Sequence, residues 1–242
     1  MSLKNAFAYY KDLRPSNIKS AKYKHLLLLL YWPIYGLFFL TVERIWPHIW
    51  KAVTGETLIY QDVFCSWDNY IPFCEWFIIP YWFWFVFLVG MILYGLLFDI
   101  QAFRHFSWFV ICTYTLTIVI YFLWPNQQSL RPTDIPRDNI LVDLVRGLYN
   151  FDTNTNVCPS IHVLGSFAVC FAGLHSKRLG GWGWKVFFIV STVLISLSTV
   201  FLRQHSVIDV FTALALCALC YPLVFHWICK PQKNDSVASD AS

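Results

Sequence analysis

Apolar residues in this chain are gathered into six long runs, which polar segments separate. The runs cover residues 25–42, 76–98, 106–124, 160–174, 182–202 and 207–228. A helix needs about 20 predominantly apolar residues to cross the hydrocarbon core of a bilayer, and most of the runs approach that length. The pattern predicts an all-α membrane protein with about six transmembrane helices in a bundle.

The composition points to the same class. Hydrophobic residues make up 57% of the chain, aromatic residues 19% and charged residues 13%, whereas about a quarter of a soluble domain is charged. Excess aromatic residues are typical of chains anchored at two membrane interfaces. The basic residues are not interleaved with stacking aromatic residues, so no nucleic-acid partner is expected. The expected partner is the lipid bilayer, and the oligomeric state stays open.

The basic residues also predict the orientation. Residues 1–24 form a basic segment, residues 25–228 the membrane domain, and residues 229–242 a polar tail that we expect to be disordered. Six crossings place both termini on one side, and twelve of the 18 lysines and arginines fall there. By the positive-inside rule both termini are cytoplasmic, the odd-numbered loops face outward, and the cell membrane is the expected location.

Two of the outward loops are long. The first, about 43–75, contains the aromatic segment SWDNYIPFCEWFIIP, and its Cys65 and Cys74 could form a disulfide in an oxidising compartment. The third, about 125–159, has apolar residues at helical spacing between Ile140 and Leu148. That spacing predicts an amphipathic helix that rests on the bilayer or covers a site.

His205 and Asp209 are the first candidate residues for chemistry. Four residues apart at the start of a helix, they share one face. A carboxylate there accepts the imidazole N–H and leaves the other ring nitrogen free to attack an electrophile such as phosphorus. The alternative is a structural hydrogen bond within a helix bundle.

A second candidate group begins the fourth run. Pro159 suits the first turn of a helix, whose free amides, including that of Ile161, form an anion site to which the Ser160 hydroxyl adds a donor. His162 could then protonate a leaving alkoxide. The alternative is an ordinary capped helix with an interfacial histidine.

Arg131 and Arg203 are candidate phosphate ligands, because a guanidinium meets phosphate oxygens in bidentate fashion. The alternative is snorkelling toward lipid headgroups. A metal site built from His162, His205 and Asp209 is the less favoured interpretation, since the Arg203 charge would repel a cation. We therefore expect neither a metal nor a cofactor.

Together these residues resemble the type 2 phosphatidic acid phosphatase superfamily of membrane lipid phosphatases, whose pattern is K-x6-R-P, P-S-G-H and S-R-x5-H-x3-D. Arg131-Pro132 matches the end of the first motif, Pro159–His162 matches the second except for its glycine, and Ser198, His205 and Asp209 match the third. Trp124 and Thr199 stand where the pattern has a lysine and an arginine. The departures resemble a divergent branch that includes inositol phosphorylceramide synthase.

The resemblance implies a mechanism and a substrate class. His205 would attack phosphorus and become a phosphohistidine, Asp209 would orient it, and His162 would protonate the leaving lipid alcohol. Phosphate oxygens would be held by Arg131, Arg203 as the substitute clamp, Ser160 and the amide of Ile161. The expected function is hydrolysis of a lipid phosphomonoester or diphosphate on the non-cytoplasmic face. The alternatives are a lipid phosphotransferase and a catalytically inactive lipid-binding scaffold.

Overall fold

The computed structural model describes residues 3–230. Helices dominate this part of the chain, and the predicted disordered tail lies, from residue 231 onward, outside it. The α-helices are α1 Leu3–Tyr10, α2 Tyr31–Leu40, α3 Trp46–Thr54, α4 Ile78–Phe98, α5 Ile100–Leu123, α6 Ile140–Phe151, α7 Ile161–His175, α8 Trp182–Phe201 and α9 Val207–Pro222.

Five helical segments are long and apolar enough to cross a membrane. They are Lys24–Thr54, Glu75–Phe98, Ile100–Leu123, Trp182–Phe201 and Val207–Ile228. Large apolar side chains along them point away from the bundle, for example Val86, Val89 and Leu93 of α4, each more than half exposed. Water-soluble monomers rarely expose apolar surface on this scale. The chain is a multi-pass α-helical membrane protein.

The fourth predicted crossing is shorter than the others. It corresponds to α7, which has 15 residues and packs centrally against α5, α8 and α9. Most of its side chains are buried, and Gly165 allows the close approach, since a Cβ there would lie 2.6 Å from the Tyr114 hydroxyl. At 15 residues α7 is shorter than the five long segments, and neighbouring helices surround it inside the bundle.

The first crossing is longer than its apolar run predicts. Helical backbone continues from Lys24 to Thr54, through a 3₁₀ segment, α2, a π-helical turn at Thr41–Ile45 and α3. The helix ends at Gly55, whose φ of 76° is the left-handed conformation that commonly ends helices. The π turn carries Glu43, which is buried, so a charge that appeared to mark the end of a span lies within the helix.

The two long loops are ordered by short elements. The amphipathic helix predicted between residues 140 and 148 is confirmed as α6, where Val142, Val145 and Leu148 are buried. Asn139 caps it, accepting from two amides in its first turn at 3.0 Å each. A two-residue parallel pair, β1 Gln61–Asp62 with β2 Asn126–Gln127, joins the two long loops. Cys65 and Cys74 are both free thiols.

Candidate active site

Asn126 holds the loop that leads into α7. Its Nδ2 donates to the carbonyls of Trp124 and Cys158 at 3.0 Å each. Its Oδ1 accepts from the amides of Val157 and Cys158 at 2.9 and 2.8 Å. Asn126 is completely buried, and a buried amide that loses its partners is costly. These four bonds therefore fix the loop in one conformation.

Two tyrosines of α5 set where α7 begins. The Tyr121 hydroxyl donates to the Pro159 carbonyl at 2.6 Å, and the Tyr114 hydroxyl donates to the Ile161 carbonyl at 3.1 Å. Ile161 is the first residue of α7. The first amides of a helix have no intrahelical acceptor, so this end of α7 presents donors beside Ser160.

His205 and Asp209 form a buried pair at the start of α9. They do not share a helix face as predicted, because His205 lies in the turn before the N-cap residue Ser206 and only Asp209 lies in the helix. His205 Nδ1 lies 3.1 Å from Asp209 Oδ2. Because a carboxylate only accepts, the proton is assigned to Nδ1, and Nε2 keeps its lone pair. The same Oδ2 accepts from the Ser206 amide at 3.0 Å, so Asp209 also caps its own helix. The Asp209 carbonyl accepts from the Ser160 amide at 3.2 Å, which joins the pair to the start of α7.

His162 lies beside this pair. Its ring centroid is 5.9 Å from that of His205 and 4.4 Å from the rings of both Tyr81 and Trp84. Its Nδ1 is buried and has no hydrogen-bond partner among residues 3–230. The two aromatic rings hold the imidazole, so a second histidine faces the first at a fixed distance.

Arg131 approaches the pair from the loop between α5 and α6. Its Nη1 donates to the carbonyls of Tyr149 and Asp152 at 3.1 and 3.0 Å. Its Nη2 donates to the carbonyl of Thr153 at 2.8 Å and to Oε1 of Gln204, in the turn before α9, at 2.5 Å. Burial lowers the pKa of Arg131, but a guanidinium stays charged near neutral pH. The structure thus brings Arg131 to the turn that carries His205.

Arg203 is bonded to the loop between α3 and α4. Its Nη1 donates to the Asp68 carbonyl at 2.7 Å and its Nη2 to the Ile71 carbonyl. The Asp68 carboxylate accepts from the Ser206 hydroxyl at 2.7 Å and the Val207 amide at 2.8 Å. Arg203 and Asp68 therefore brace the start of α9. Direct phosphate binding by Arg203 stays a prediction: these carbonyls take two N–H donors of the guanidinium, which has about five in all.

The two positions that depart from the superfamily pattern supply no cation. Trp124 directly follows the last residue of α5 and is 41% exposed. The Thr199 hydroxyl donates to the Ser196 carbonyl at 2.7 Å, within its own helix. The Thr199 carbonyl accepts from the amides of Gln204 and His205 at 3.0 Å each. Thr199 thus supports the turn before α9 through its backbone.

The Asp152 carboxyl group was not among the site residues predicted from the sequence. Its Oδ2 accepts from the Tyr81 hydroxyl at 3.3 Å. Burial raises the pKa of the Asp152 carboxyl, and its neighbours His205 and Arg131 oppose that shift. An acidic side chain therefore lies in the same group of residues, where it would repel a highly charged phosphate.

Glu43 is the second residue that sequence reasoning missed. Its Oε1 accepts from the hydroxyls of Thr153, at 2.5 Å, and Thr155, and its Oε2 accepts from Asn156 Nδ2 at 2.6 Å. These partners follow Asp152 directly in the chain. A charged residue at or inside a span is by default a functional candidate. Glu43 directly follows the first apolar run, 25–42, so the sequence offered this indication. Here the carboxylate fixes the loop that carries part of the site.

Several buried polar atoms beside the pair have no hydrogen-bond partner among residues 3–230. They are Ser160 Oγ, His162 Nδ1, Gln204 Nε2, Arg131 Nε and Asp209 Oδ1. Buried polar atoms are normally bonded, and four of these five can donate. We call the group His205, Asp209, His162, Ser160, Arg131 and Gln204 the His205 cluster. Its open donors suit an anion.

Within residues 3–230 no group of three or more His, Cys, Asp or Glu side chains is placed to hold a metal ion. No protein-family model, curated protein or solved structure matches this chain. The function of this chain is therefore inferred from the geometry of the His205 cluster.

Proposed function

We propose that this chain is a membrane lipid-phosphate phosphatase that works through a phosphohistidine at His205. The observation that carries the proposal is the His205–Asp209 pair, in which Nδ1 faces a carboxylate at 3.1 Å and Nε2 is left to act as the nucleophile. The second histidine beside it and the unpartnered donors of the His205 cluster support the same reaction.

The proposed reaction has two displacements. His205 Nε2 attacks phosphorus and forms a P–N bond, the P–O bond to the lipid breaks, and His162 gives a proton to the leaving alkoxide oxygen. Water then attacks phosphorus, gives its proton to His162, and displaces Nε2 as the P–N bond breaks. Asp209 orients His205 and stabilises the positive charge on its ring. Arg131, Ser160 and the amide of Ile161 would hold the phosphate oxygens, where developing charge is stabilised.

The topology proposed for this reaction has six crossings, with α7 as the short one. Both termini would be cytoplasmic, and the His205 cluster would lie at headgroup depth on the outer face of the cell membrane. The supporting observation is the distribution of the 18 lysines and arginines, twelve of which fall on the side of the termini. A substrate could then keep its acyl or prenyl tail in the bilayer during the reaction.

The charge of the site favours one second candidate, a lipid phosphotransferase. Arg131 is the one cation of the His205 cluster, and its terminal nitrogens donate to three carbonyls and Gln204. Arg203 donates to two carbonyls, and Asp152 adds a carboxyl group. A phosphomonoester carries about −1.5 to −2 charges near pH 7, whereas a phosphodiester carries one. A phosphodiester donor and an alcohol acceptor would therefore suit this site.

Phosphate release by the detergent-purified protein tests the proposal. The panel includes phosphatidic acid and a polyprenyl diphosphate, each with a chelator present. We expect release that resists the chelator, is lost in His205→Ala, and persists in His226→Ala, since His226 is exposed and remote in sequence from the cluster. Release that persists in His205→Ala would refute the mechanism. No release from any lipid, with transfer to an added alcohol, would favour the phosphotransferase, and neither activity would favour an inactive scaffold.

A further inference from the structure

A second pocket lies far from the His205 cluster, at the other end of α5. It has a volume of about 340 Å³ and is lined by Arg104 near the start of α5. Tyr121, which contacts the residue before Ser160, lies near the other end of that helix. At 1.5 Å per residue the two side chains are attached about 25 Å apart along α5. Nothing in the proposed reaction uses this pocket.

Three basic side chains line the pocket and no carboxylate does. They are Lys22, Lys24 and Arg104. The Lys22 ammonium lies 4.8 Å from the centroid of the Tyr9 ring, which also lines the pocket. Arg104 is half-buried, and no hydrogen bond or ion pair joins its side chain to any residue of 3–230. A half-buried guanidinium beside two lysines is a site for an anionic oxygen ligand.

The lining changes from basic to apolar along the direction of the helices. Leu28 lies four residues after Lys24 in the first crossing, and Trp108 lies four residues after Arg104 in α5. In α5, residues four apart share a helix face. Lys24 and Leu28 lie in the 3₁₀ segment, and both line the pocket. Both crossings begin at this end of the bundle, so in each helix the apolar side chain lies one turn deeper than the basic one. A lipid has the same order, with its charged headgroup outside and its acyl chain inside.

We propose that this pocket binds an anionic glycerophospholipid from the leaflet on its own side, with the phosphate on Arg104, Lys22 and Lys24 and an acyl chain along Leu28 and Trp108. Basic pockets between transmembrane helices bind anionic headgroups, and each Lys or Arg near the membrane surface adds about fivefold in affinity. The chemistry shared by a lipid and by free phosphate is the anionic phosphate group. The apolar wall favours the lipid, because free phosphate gains nothing from it.

Lipid binding to the full-length protein in detergent tests this site. Phosphatidylglycerol and phosphatidylcholine with identical acyl chains are titrated separately and followed by native mass spectrometry, and inorganic phosphate is added as a competitor. We expect phosphatidylglycerol to bind more tightly than phosphatidylcholine. We expect Arg104→Gln to weaken phosphatidylglycerol about fivefold and phosphatidylcholine little. Because Lys22 and Lys24 are exposed, the double variant Lys22→Gln/Lys24→Gln should fold normally and gives a second reading if Arg104→Gln does not fold.

Lys177→Gln is the matched control. Lys177 is exposed and lies at the same end of the bundle, next to Ser176, whose hydroxyl donates to Asp99 just before α5. The Lys177→Gln variant should keep the wild-type affinity for phosphatidylglycerol. Equal phosphatidylglycerol binding by wild type, Arg104→Gln and the double lysine variant would overturn the proposal. So would displacement of phosphatidylglycerol by equimolar inorganic phosphate, which would leave a phosphate site without a lipid.

Discussion

Replacing Glu43 tests whether a buried carboxylate in the first crossing holds the loop of the candidate site. The two oxygens of Glu43 accept three hydrogen bonds, from Thr153, Thr155 and Asn156. Glu43→Ala removes every acceptor and leaves three donors without partners. Glu43→Gln keeps one oxygen, but its amide nitrogen cannot accept from a donor. The two variants therefore remove the interaction in steps.

The magnitude follows from the number and kind of bonds. A hydrogen bond to a charged group contributes about 1.5–3 kcal/mol in soluble proteins, and interhelical polar contacts in membranes average about 0.6 kcal/mol. With about 1 kcal/mol for each of the three bonds, Glu43→Ala should cost about 3 kcal/mol and Glu43→Gln about 1 kcal/mol. For a chain of this size, 1 kcal/mol shifts the melting temperature by about 2–4 °C. The alanine variant should therefore melt roughly 6–12 °C below the wild type.

Thermal unfolding in detergent is the assay, with Glu56→Gln as the control. Glu56 is exposed in the loop that follows the same crossing, and its substitution should change stability by less than about 0.5 kcal/mol. Turnover at a temperature where every variant is folded should fall in the order wild type, Glu43→Gln, Glu43→Ala, because the loop carries carbonyl partners of Arg131. An alanine variant that melts within 1 °C of the wild type would refute the anchoring role.

Three further changes test packing and charge. Gly165→Ala places a Cβ 2.6 Å from the Tyr114 hydroxyl and should lower the melting temperature by several degrees. The control Gly147→Ala meets nothing within 4 Å, so it should leave the temperature unchanged or raise it, and equal effects would contradict the close approach. Asn126→Ala leaves four backbone groups without their partner, three of them in buried bonds, and should cost about 2–4 kcal/mol in the same assay; a loss below about 1 kcal/mol would contradict its role. Asp152→Asn should lower the KM for a phosphomonoester severalfold and leave that for a diester nearly unchanged, and an unchanged ratio of the two would remove Asp152 from the site.

Local patterns predicted the features that depend on neighbours in the chain. The apolar runs locate the long helices, and the spacing of apolar residues after Asn139 locates α6. Both elements follow from helix periodicity alone. His205 and Asp209 do lie 3.1 Å apart, but they do not share a helix face as predicted, because His205 precedes Ser206, the N-cap residue of α9. The turn before α9 brings the imidazole to the Asp209 carboxylate.

The features that sequence reasoning missed depend on contacts between distant segments. Glu43 meets Asn156 across more than a hundred residues, and no periodicity encodes that pairing. Arg203 was proposed as a phosphate ligand because it is close to His205 in sequence, yet its guanidinium is bonded to the carbonyls of Asp68 and Ile71. The direction of a long side chain at a turn is decided by which carbonyls the fold brings near.

Trapping the covalent intermediate tests the central claim most directly. The protein is mixed with a lipid phosphate, quenched within milliseconds at alkaline pH, where a phosphohistidine survives, digested, and analysed by mass spectrometry. The account predicts one phosphoryl group on the peptide that contains His205, labile to acid and absent from His205→Ala. Label on Ser160 or on no residue, in a preparation that releases phosphate from the same lipid, would contradict it.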